Sequence, residues 1–223
     1  MITLHHLENS RSQRILWLLE ELGLEYEIKL YKRNVKTSLA PPELMKVHPL
    51  GKSPVITDGE LTIAESGAIV EYLIYRYGTD KWRFEPGTQQ WMDYNYWMHY
   101  AEGSVMPMLV MTLIFNQIKR APMPFFVRPI ARGISDKVMK GFIQPNVINH
   151  LGFIEKSLKG KQWFVDDRLS GADIQMIFPI EAAAARANFA DKYPSILSYM
   201  ERVHARPAYQ RALEKGGPYQ LMS

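Results

Sequence analysis

The sequence has 223 residues and no cysteine. A chain without cysteine forms no disulfide, carries no thiol nucleophile and builds no thiolate metal site. A reaction that uses a sulfur nucleophile must therefore take the sulfur from a substrate. Disulfides belong to oxidising compartments, so this composition favours a reducing one, and we expect a cytoplasmic location.

Long hydrophobic runs and a strong charge of either sign are also missing. No run of 18 apolar residues is present, which predicts no membrane span. The segment from Met1 to His6 lacks the charged-then-apolar order of a signal peptide. The net charge is +4, and this excess is too small to indicate nucleic-acid binding by itself.

The first third of the chain alternates short apolar runs with helical patterns. Residues 2–7 and 25–33 are predicted strands, and residues 34–44 form a predicted loop broken by prolines. The helix between the strands has an apolar stripe that ends at Gly23, and Ser10 or Ser12 can cap its start. Pro54 opens a third strand, Asp58 and Gly59 predict a two-residue hairpin, and a fourth strand covers residues 61–64. With a helix that starts at Glu65 and Ser66, this order is thioredoxin-like.

The remainder of the chain is predicted to be helical. Residues 78–88 carry the glycine and proline breakers of a linker. Ser170 and Asp173 form a predicted capping box. The predicted helices cover Thr88 to Lys119 with a kink at Pro107, residues 132–158, Ile174 to Asn188, and an amphipathic segment over residues 194–214.

Two features of residues 48–77 suggest a ligand. A cis bond between Ser53 and Pro54 would leave the Ser53 backbone free to pair with an extended chain. Ser66 lies at a helix start, where unpaired N–H groups and the helix dipole favour an anion. Together they suit a short peptide with a free α-carboxylate.

The motif Lys52-Ser53-Pro54, with Glu65-Ser66 eleven residues after the proline, resembles the glutathione-binding half of the glutathione transferases. The capping box at Ser170 is a second match, and the whole chain is most similar to the microbial enzymes of fungi and bacteria. The resemblance implies a thioredoxin-like glutathione-binding domain over residues 1–79. It also implies an all-helical domain over residues 88–223 that contributes the second-substrate site, and a homodimer.

The resemblance also assigns roles to residues. Pro54 would be cis, Ser53 would pair through its backbone with the cysteine of glutathione, and Lys52 would lie near the glycine carboxylate. Glu65 and Ser66 would hold the γ-glutamyl end. Glutathione would act as co-substrate, and no metal is implied. His5 and His6 are neighbours on a strand and face opposite sides, so we expect no shared metal.

Activation of the glutathione thiol needs a donor where the first strand meets the first helix, because that helix start also favours the thiolate. The loop there offers Asn9, Ser10 and Ser12. Counting back from Arg14, Ser10 matches the activating hydroxyl of the serine-type transferases. Asn9, Ser12 and a backbone N–H remain open as donors, and a serine that only caps the helix is the alternative.

The second substrate is expected beside the long helix. Tyr96, His99 and Tyr100 share one helix face and are candidates to line its site, although such a stripe is also typical of core or dimer contacts. Residues 119–140 are basic and contain Phe125 and Phe126. This segment is interpreted as a solvated face with two buried phenylalanines rather than as a nucleic-acid patch, which would have the same pattern, and it could also wall the second-substrate site.

These features predict a detoxifying glutathione transferase that activates glutathione as a thiolate for attack on a hydrophobic electrophile. Two alternatives remain. The same site could serve a glutathione-dependent peroxide or disulfide reductase, or the chain could be a non-catalytic transferase-like binding or regulatory protein.

Overall fold

A computed structural model of the protein describes residues 1–35, 37, 39–185, 192–217 and 219. Four strands form one mixed sheet in the order β2-β1-β3-β4. β1 runs parallel to β2 and antiparallel to β3. The strands are β1 (Ile2–Leu7), β2 (Tyr26–Tyr31), β3 (Val55–Asp58) and β4 (Leu61–Ala64).

Two helices accompany the sheet, α1 (Ser12–Leu22) and α2 (Ser66–Tyr77). Gly23 ends α1 with a φ of 63°, a left-handed conformation that favours glycine. A short 3-10 helix (Pro42–Lys46) lies in the loop after β2. The predicted thioredoxin-like arrangement is confirmed.

Two local predictions in this half are wrong. Asp58 pairs with Leu61, so the turn residues of the hairpin are Gly59 and Glu60 rather than Asp58 and Gly59. The Asp58 carboxylate instead accepts hydrogen bonds from two tyrosines of α2, and these contacts keep it in the strand. The N-cap of α1 is Arg11, which makes no side-chain capping bond, so neither predicted serine is the N-cap, although Ser10 Oγ accepts from the N–H of Ser12, the first helical residue.

Helices make up the rest of the described chain. A 3-10 turn (Asp80–Trp82) precedes them, and π segments interrupt two of the helical stretches. The helices and π segments are α3 (Gln89–Tyr100), a π segment (Ala101–Val105), α4 (Met106–Arg120), α5 (Arg128–Val138), a π segment (Met139–Ile143), α6 (Gln144–Leu158), α7 (Gly171–Ala184), α8 (Pro194–His204) and α9 (Pro207–Gly216).

Proline explains one difference from the predicted helices. The single helix predicted over residues 194–214 is two helices, because Pro207 cannot continue α8 and instead begins α9. In the long helix, a complete π segment separates α3 from α4 just before Pro107. The predicted helix end at Asn188 lies outside the described residues.

Helix α7 is central to the packing. Its residues from Gly171 to Ala183 are all buried, and the predicted capping box of Ser170 and Asp173 is confirmed. Buried residues of the sheet, α1 to α4 and α6 to α9 belong to one continuous hydrophobic cluster. Among the residues described, no helix has the length and apolar character to span a membrane.

The predicted linker is packed rather than free. Trp82 and Phe84 are buried in the main cluster. Arg168 donates hydrogen bonds to the carbonyl oxygens of Lys81 and Arg83, and its guanidinium lies over the Phe84 ring. These contacts fix the segment that joins the sheet half to the helical half.

Candidate functional site

Two adjoining cavities open where the sheet half meets α4 and α7. The smaller, called the polar cavity, measures about 260 Å³. It is lined by Arg11, His48, Leu50, Lys52, Ser53, Pro54, Ala64, Glu65, Ser66 and Glu102. The larger, called the apolar cavity, measures about 430 Å³. Arg11, Leu50, Lys52 and Ser53 line both cavities, so the two adjoin.

Ser53 is held against the first strand by its side chain. Its Oγ donates to the His5 carbonyl oxygen at 2.8 Å and accepts from the Leu7 N–H at 3.2 Å. The bond between Ser53 and Pro54 is cis, as predicted. Because the hydroxyl is turned towards β1, Ser53 can offer its backbone to a ligand in the polar cavity.

Glu65 and Ser66 form the opposite wall of the polar cavity. Glu65 is exposed and has a φ of 69°, which is unusual for a residue with a side chain. Strained backbone of this kind concentrates at functional sites. Ser66 begins α2, and its buried Oγ accepts from Arg14 Nη1 at 3.4 Å and from Gln175 Nε2 at 3.3 Å. Its own proton therefore remains available for a ligand.

A charge network lies beneath Ser66. Arg14 is fully buried, and its Nη1 lies 2.9 Å from a Glu102 carboxylate oxygen and 2.8 Å from Gln175 Oε1. Arg11 pairs with the other Glu102 oxygen at 2.8 Å. The polar cavity thus has cations and carboxylates along its wall, a pattern that complements a zwitterionic peptide.

The first loop brings its three candidate donors to the junction of β1 and α1. Asn9 and Ser10 line the apolar cavity, and Asn9 has a φ of 49°. Ser12 lies behind Ser10, with its Oγ 2.7 Å from Ser10 Oγ and 2.8 Å from His6 Nδ1. Ser10 accepts a further bond from the Ser12 N–H at 3.2 Å. Ser10 is therefore a hydroxyl held in place at the cavity wall.

The apolar cavity is built by elements that are distant in the sequence. Helix α4 contributes four apolar side chains, α7 contributes two, and the loop around the first 3-10 helix supplies the facing wall. These residues are Met106, Leu109, Val110, Leu113, Phe178, Ala182, Leu39, Ala40, Pro41, Pro42 and Met45. A hydrophobic ligand placed here would lie beside Ser10.

The predicted second-substrate residues lie elsewhere. Tyr96 is 47% exposed and His99 is exposed, whereas Tyr100 is buried and its hydroxyl is 2.6 Å from His150 Nδ1. None of the three lines either cavity. Tyr96 and Tyr100 pack against Phe153 of α6, and the long helical stretch lines the cavities with Glu102 and four residues of α4 instead.

The basic segment also differs from its interpretation. Phe125 and Phe126 are 80% and 65% exposed rather than buried, because they lie in the loop between α4 and α5, where no other described element covers them. No residue of 119–140 lines either cavity. One of its cations, Lys119, is paired with Asp136.

The side chains of His5 and His6 point to opposite faces of the sheet and contact different residues, as neighbours on a strand do. His5 Nδ1 lies 2.9 Å from the Tyr31 hydroxyl, and His6 Nε2 lies 3.1 Å from the Gly216 carbonyl oxygen. In the part of the chain that the structure describes, no three metal-ligating side chains come together.

Family comparisons agree with this geometry. Residues 1–74 match the N-terminal domain model of the glutathione S-transferases, and residues 125–207 match the C-terminal domain model. The chain belongs to the glutathione S-transferase family. It is therefore an enzyme of the transferase class, with the fold of that family.

Individual relatives cover almost the whole chain. Glutathione S-transferase 1 of Saccharomyces cerevisiae is 36% identical over 96% of this chain and 95% of its own length. Glutathione S-transferase 3 of Schizosaccharomyces pombe is 38% identical over 96% and 88%. A crystal structure of a glutathione S-transferase from Actinobacillus pleuropneumoniae superposes with a TM-score of 0.78 at 38% identity, over 97% of this chain and 93% of that one.

Proposed function

We propose that the transferase binds glutathione along the polar cavity and activates its thiol at Ser10 for attack on a hydrophobic electrophile in the apolar cavity. The observation that carries the proposal is that the two cavities adjoin at Lys52 and Ser53, which line both. A peptide that pairs with the Ser53 backbone would place its cysteine at this junction. Its sulfur would then face both Ser10 and the apolar space.

The polar cavity suits the two ends of glutathione. Ser66 and the start of α2 would hold the γ-glutamyl carboxylate, and Glu65 would hold the ammonium of the same residue. Lys52 is exposed on the other side and would meet the glycine carboxylate. The buried Arg14 lies behind Ser66 and adds positive potential at the carboxylate.

Thiolate formation is the step that the protein must favour. A free thiol has a pKa of about 8.5, and lowering it by about two units requires roughly 2.7 kcal/mol. A hydrogen bond to a charged group contributes about 1.5–3 kcal/mol. One hydroxyl donor, helped by the start of α1, is therefore sufficient, and we assign this role to Ser10 with Asn9 as the neighbouring donor.

The assembly and setting follow from the same proposal. We assign the glutathione-binding unit to residues 1–79 and the second-substrate unit to residues 88–223. A cytoplasmic homodimer with a role in detoxification is in keeping with the family, and Tyr75 and Met92 are large apolar side chains exposed on α2 and α3. Sedimentation velocity of the purified protein tests the dimer.

The proposal is tested by titrating the protein with glutathione and following the thiolate absorbance across pH. The bound thiol should have a pKa well below about 8.5. Ser10→Ala should raise that pKa by about one to two units and lower turnover about 10- to 100-fold, because one charged hydrogen bond is lost. Glutathione affinity should stay within a few-fold.

Ser157→Ala is the matched control, since Ser157 bonds only the Phe153 carbonyl on α6 in the described contacts. Unchanged turnover in Ser10→Ala would move the donor role to Asn9 or a backbone N–H. Absence of saturable glutathione binding in the unaltered protein would contradict the proposal and favour a binding or regulatory role. Product analysis separates conjugation, which gives a thioether, from reduction, which gives glutathione disulfide.

A further inference from the structure

A chain of hydrogen bonds runs from Ser10 to the end of α9. Ser10 Oγ lies 2.7 Å from Ser12 Oγ, and Ser12 Oγ lies 2.8 Å from His6 Nδ1. On the far side of the ring, His6 Nε2 lies 3.1 Å from the Gly216 carbonyl oxygen. His6, Ser10 and Ser12 are all buried, so water does not compete strongly for these bonds.

The direction of each bond follows from what each atom can donate. A carbonyl oxygen only accepts, so His6 carries its proton on Nε2 and donates it to Gly216. Burial lowers the pKa of His6 to about 4, so the ring is neutral at pH 7 and Nδ1 accepts. Ser12 therefore donates its hydroxyl proton to Nδ1, with the Leu7 carbonyl at 3.2 Å as a longer alternative. Ser10 then donates to Ser12 Oγ.

The far end of the chain depends on a close approach of α9. A Cβ built on Gly216 would lie 2.6 Å from Gln13 Oε1 and 2.8 Å from Leu16 Cδ1. A residue with a side chain at this position would have to displace the side chains of Gln13 and Leu16 on α1. The last helix is thus packed against the elements that carry Ser10.

We propose that Ser12 and His6 are positioning residues for Ser10, which they hold at the thiol site through a chain anchored on α9. The inference rests on the proposed function. When a thiolate arrives, Ser10 turns its proton to the sulfur. The Ser10 oxygen still accepts from the Ser12 N–H at 3.2 Å, while Ser12 keeps its own hydroxyl proton on His6 Nδ1. A hydroxyl that accepts such a bond is a stronger donor.

His6 contributes by fixing Ser12. An acceptor at Nδ1 keeps the Ser12 side chain in the rotamer that reaches Ser10. A serine without this acceptor could also populate the other two staggered χ1 rotamers. Loss of that acceptor should therefore weaken the hold on Ser10 without touching glutathione itself.

The first test is Ser12→Ala, with the pKa of the bound glutathione thiol as the readout. We expect that pKa to rise by about one unit and kcat to fall about tenfold, since these are the same loss of thiolate stabilisation. The KM for glutathione should stay within about threefold, because none of the peptide contacts is changed. Ser157→Ala again serves as the matched control.

A pair of His6 variants separates positioning from simple anchoring. His6→Asn keeps an acceptor oxygen near the place of Nδ1 and should retain the thiol pKa of the unaltered protein. His6→Gln reaches towards Gly216 but leaves Ser12 only the longer bond to the Leu7 carbonyl oxygen at 3.2 Å, and should raise the thiol pKa as Ser12→Ala does. Both His6 variants keep Ser12, so they test the positioning role even if Ser12→Ala does not fold.

The outcomes distinguish the two proposals. If the unaltered protein lowers the thiol pKa but Ser12→Ala and His6→Gln leave it lowered, the positioning role is overturned and Ser10 activation stands. The same conclusion holds if the variants reduce only the unfolding temperature. If the unaltered protein neither binds glutathione nor lowers its pKa, both proposals fail together.

Discussion

The polar and apolar cavities share a boundary but differ in how the chain builds them. The polar cavity takes most of its wall from one stretch, His48 to Ser66. The apolar cavity draws on the first loop, the loop around Pro42, α4 and α7. Its lining residues range from Leu7 to Ala182 along the chain. A site made by a contiguous motif is visible in a sequence, whereas a site made by packing appears only when the chain has folded.

The two cavities also differ in the forces that they offer a ligand. The polar cavity presents directed groups, such as the Ser66 hydroxyl and the start of α2. The apolar cavity presents hydrocarbon, with polar groups near Ser10. Changes in the polar cavity should therefore affect glutathione affinity, and changes among the apolar residues of α4 and α7 should affect only the electrophile.

The largest effect is expected from Ser66→Ala. The variant removes a donor to the proposed γ-glutamyl carboxylate, and a charged hydrogen bond contributes about 1.5–3 kcal/mol. Glutathione affinity should fall about 10- to 100-fold, as measured by calorimetric titration. The thiol pKa at saturating glutathione should stay low, because Ser10 is untouched. Unchanged affinity would show that no carboxylate is bound at this helix start.

A smaller effect is expected from Val110→Asn in the apolar cavity. Val110 is 38% exposed, so a polar side chain should be tolerated by the fold. Loss of its apolar contact should cost the electrophile about 1 kcal/mol, and kcat/KM for a hydrophobic electrophile should fall about fivefold. Glutathione affinity should not change.

The control for this variant is Ile130→Asn, which makes the same kind of change at a residue that is 64% exposed and lines neither cavity. Steady-state kinetics should separate the two variants. Equal losses in both would mean that the apolar cavity does not receive the electrophile.

The smallest effect is expected from Tyr96→Leu. Tyr96 belongs to the helix face that the sequence indicates for the second substrate, yet it lies against Tyr100 and Phe153 rather than at a cavity. Replacements at exposed positions usually change stability by no more than about 0.5 kcal/mol, and we expect kinetic parameters within about twofold. A large loss of kcat/KM for the electrophile would restore the prediction made from the sequence.

Several predictions succeeded because their signals are local. The turn at Gly23 and the capping box at Ser170 each depend on residues within four positions of one another. The helix start at Ser66 is likewise a property of a few neighbours. Backbone conformations of this kind follow from steric preference and nearby hydrogen bonds, so a sequence reveals them.

Other features could not be predicted because the deciding contact is remote. Tyr96 and Tyr100 pack against Phe153, more than 50 positions away, rather than at a cavity. Glu102 carried no signal of its own, since its partners Arg11 and Arg14 are about 90 positions away. The exposure of Phe125 could not be foreseen either, because nothing in the sequence says which hydrophobic side chains the fold will leave uncovered.

The sequence by itself determined the class of fold, the order of most elements, and the segment from Lys52 to Ser66 to which we assign glutathione. These depend on short-range periodicity, on turn chemistry and on a motif within one segment. The tertiary structure alone decided which side chains form the apolar cavity. It also decided that Ser10 is held by Ser12 and His6. The hydrogen bonds that hold it end at the Gly216 carbonyl oxygen, more than 200 residues from His6, and only packing brings α9 to the first strand.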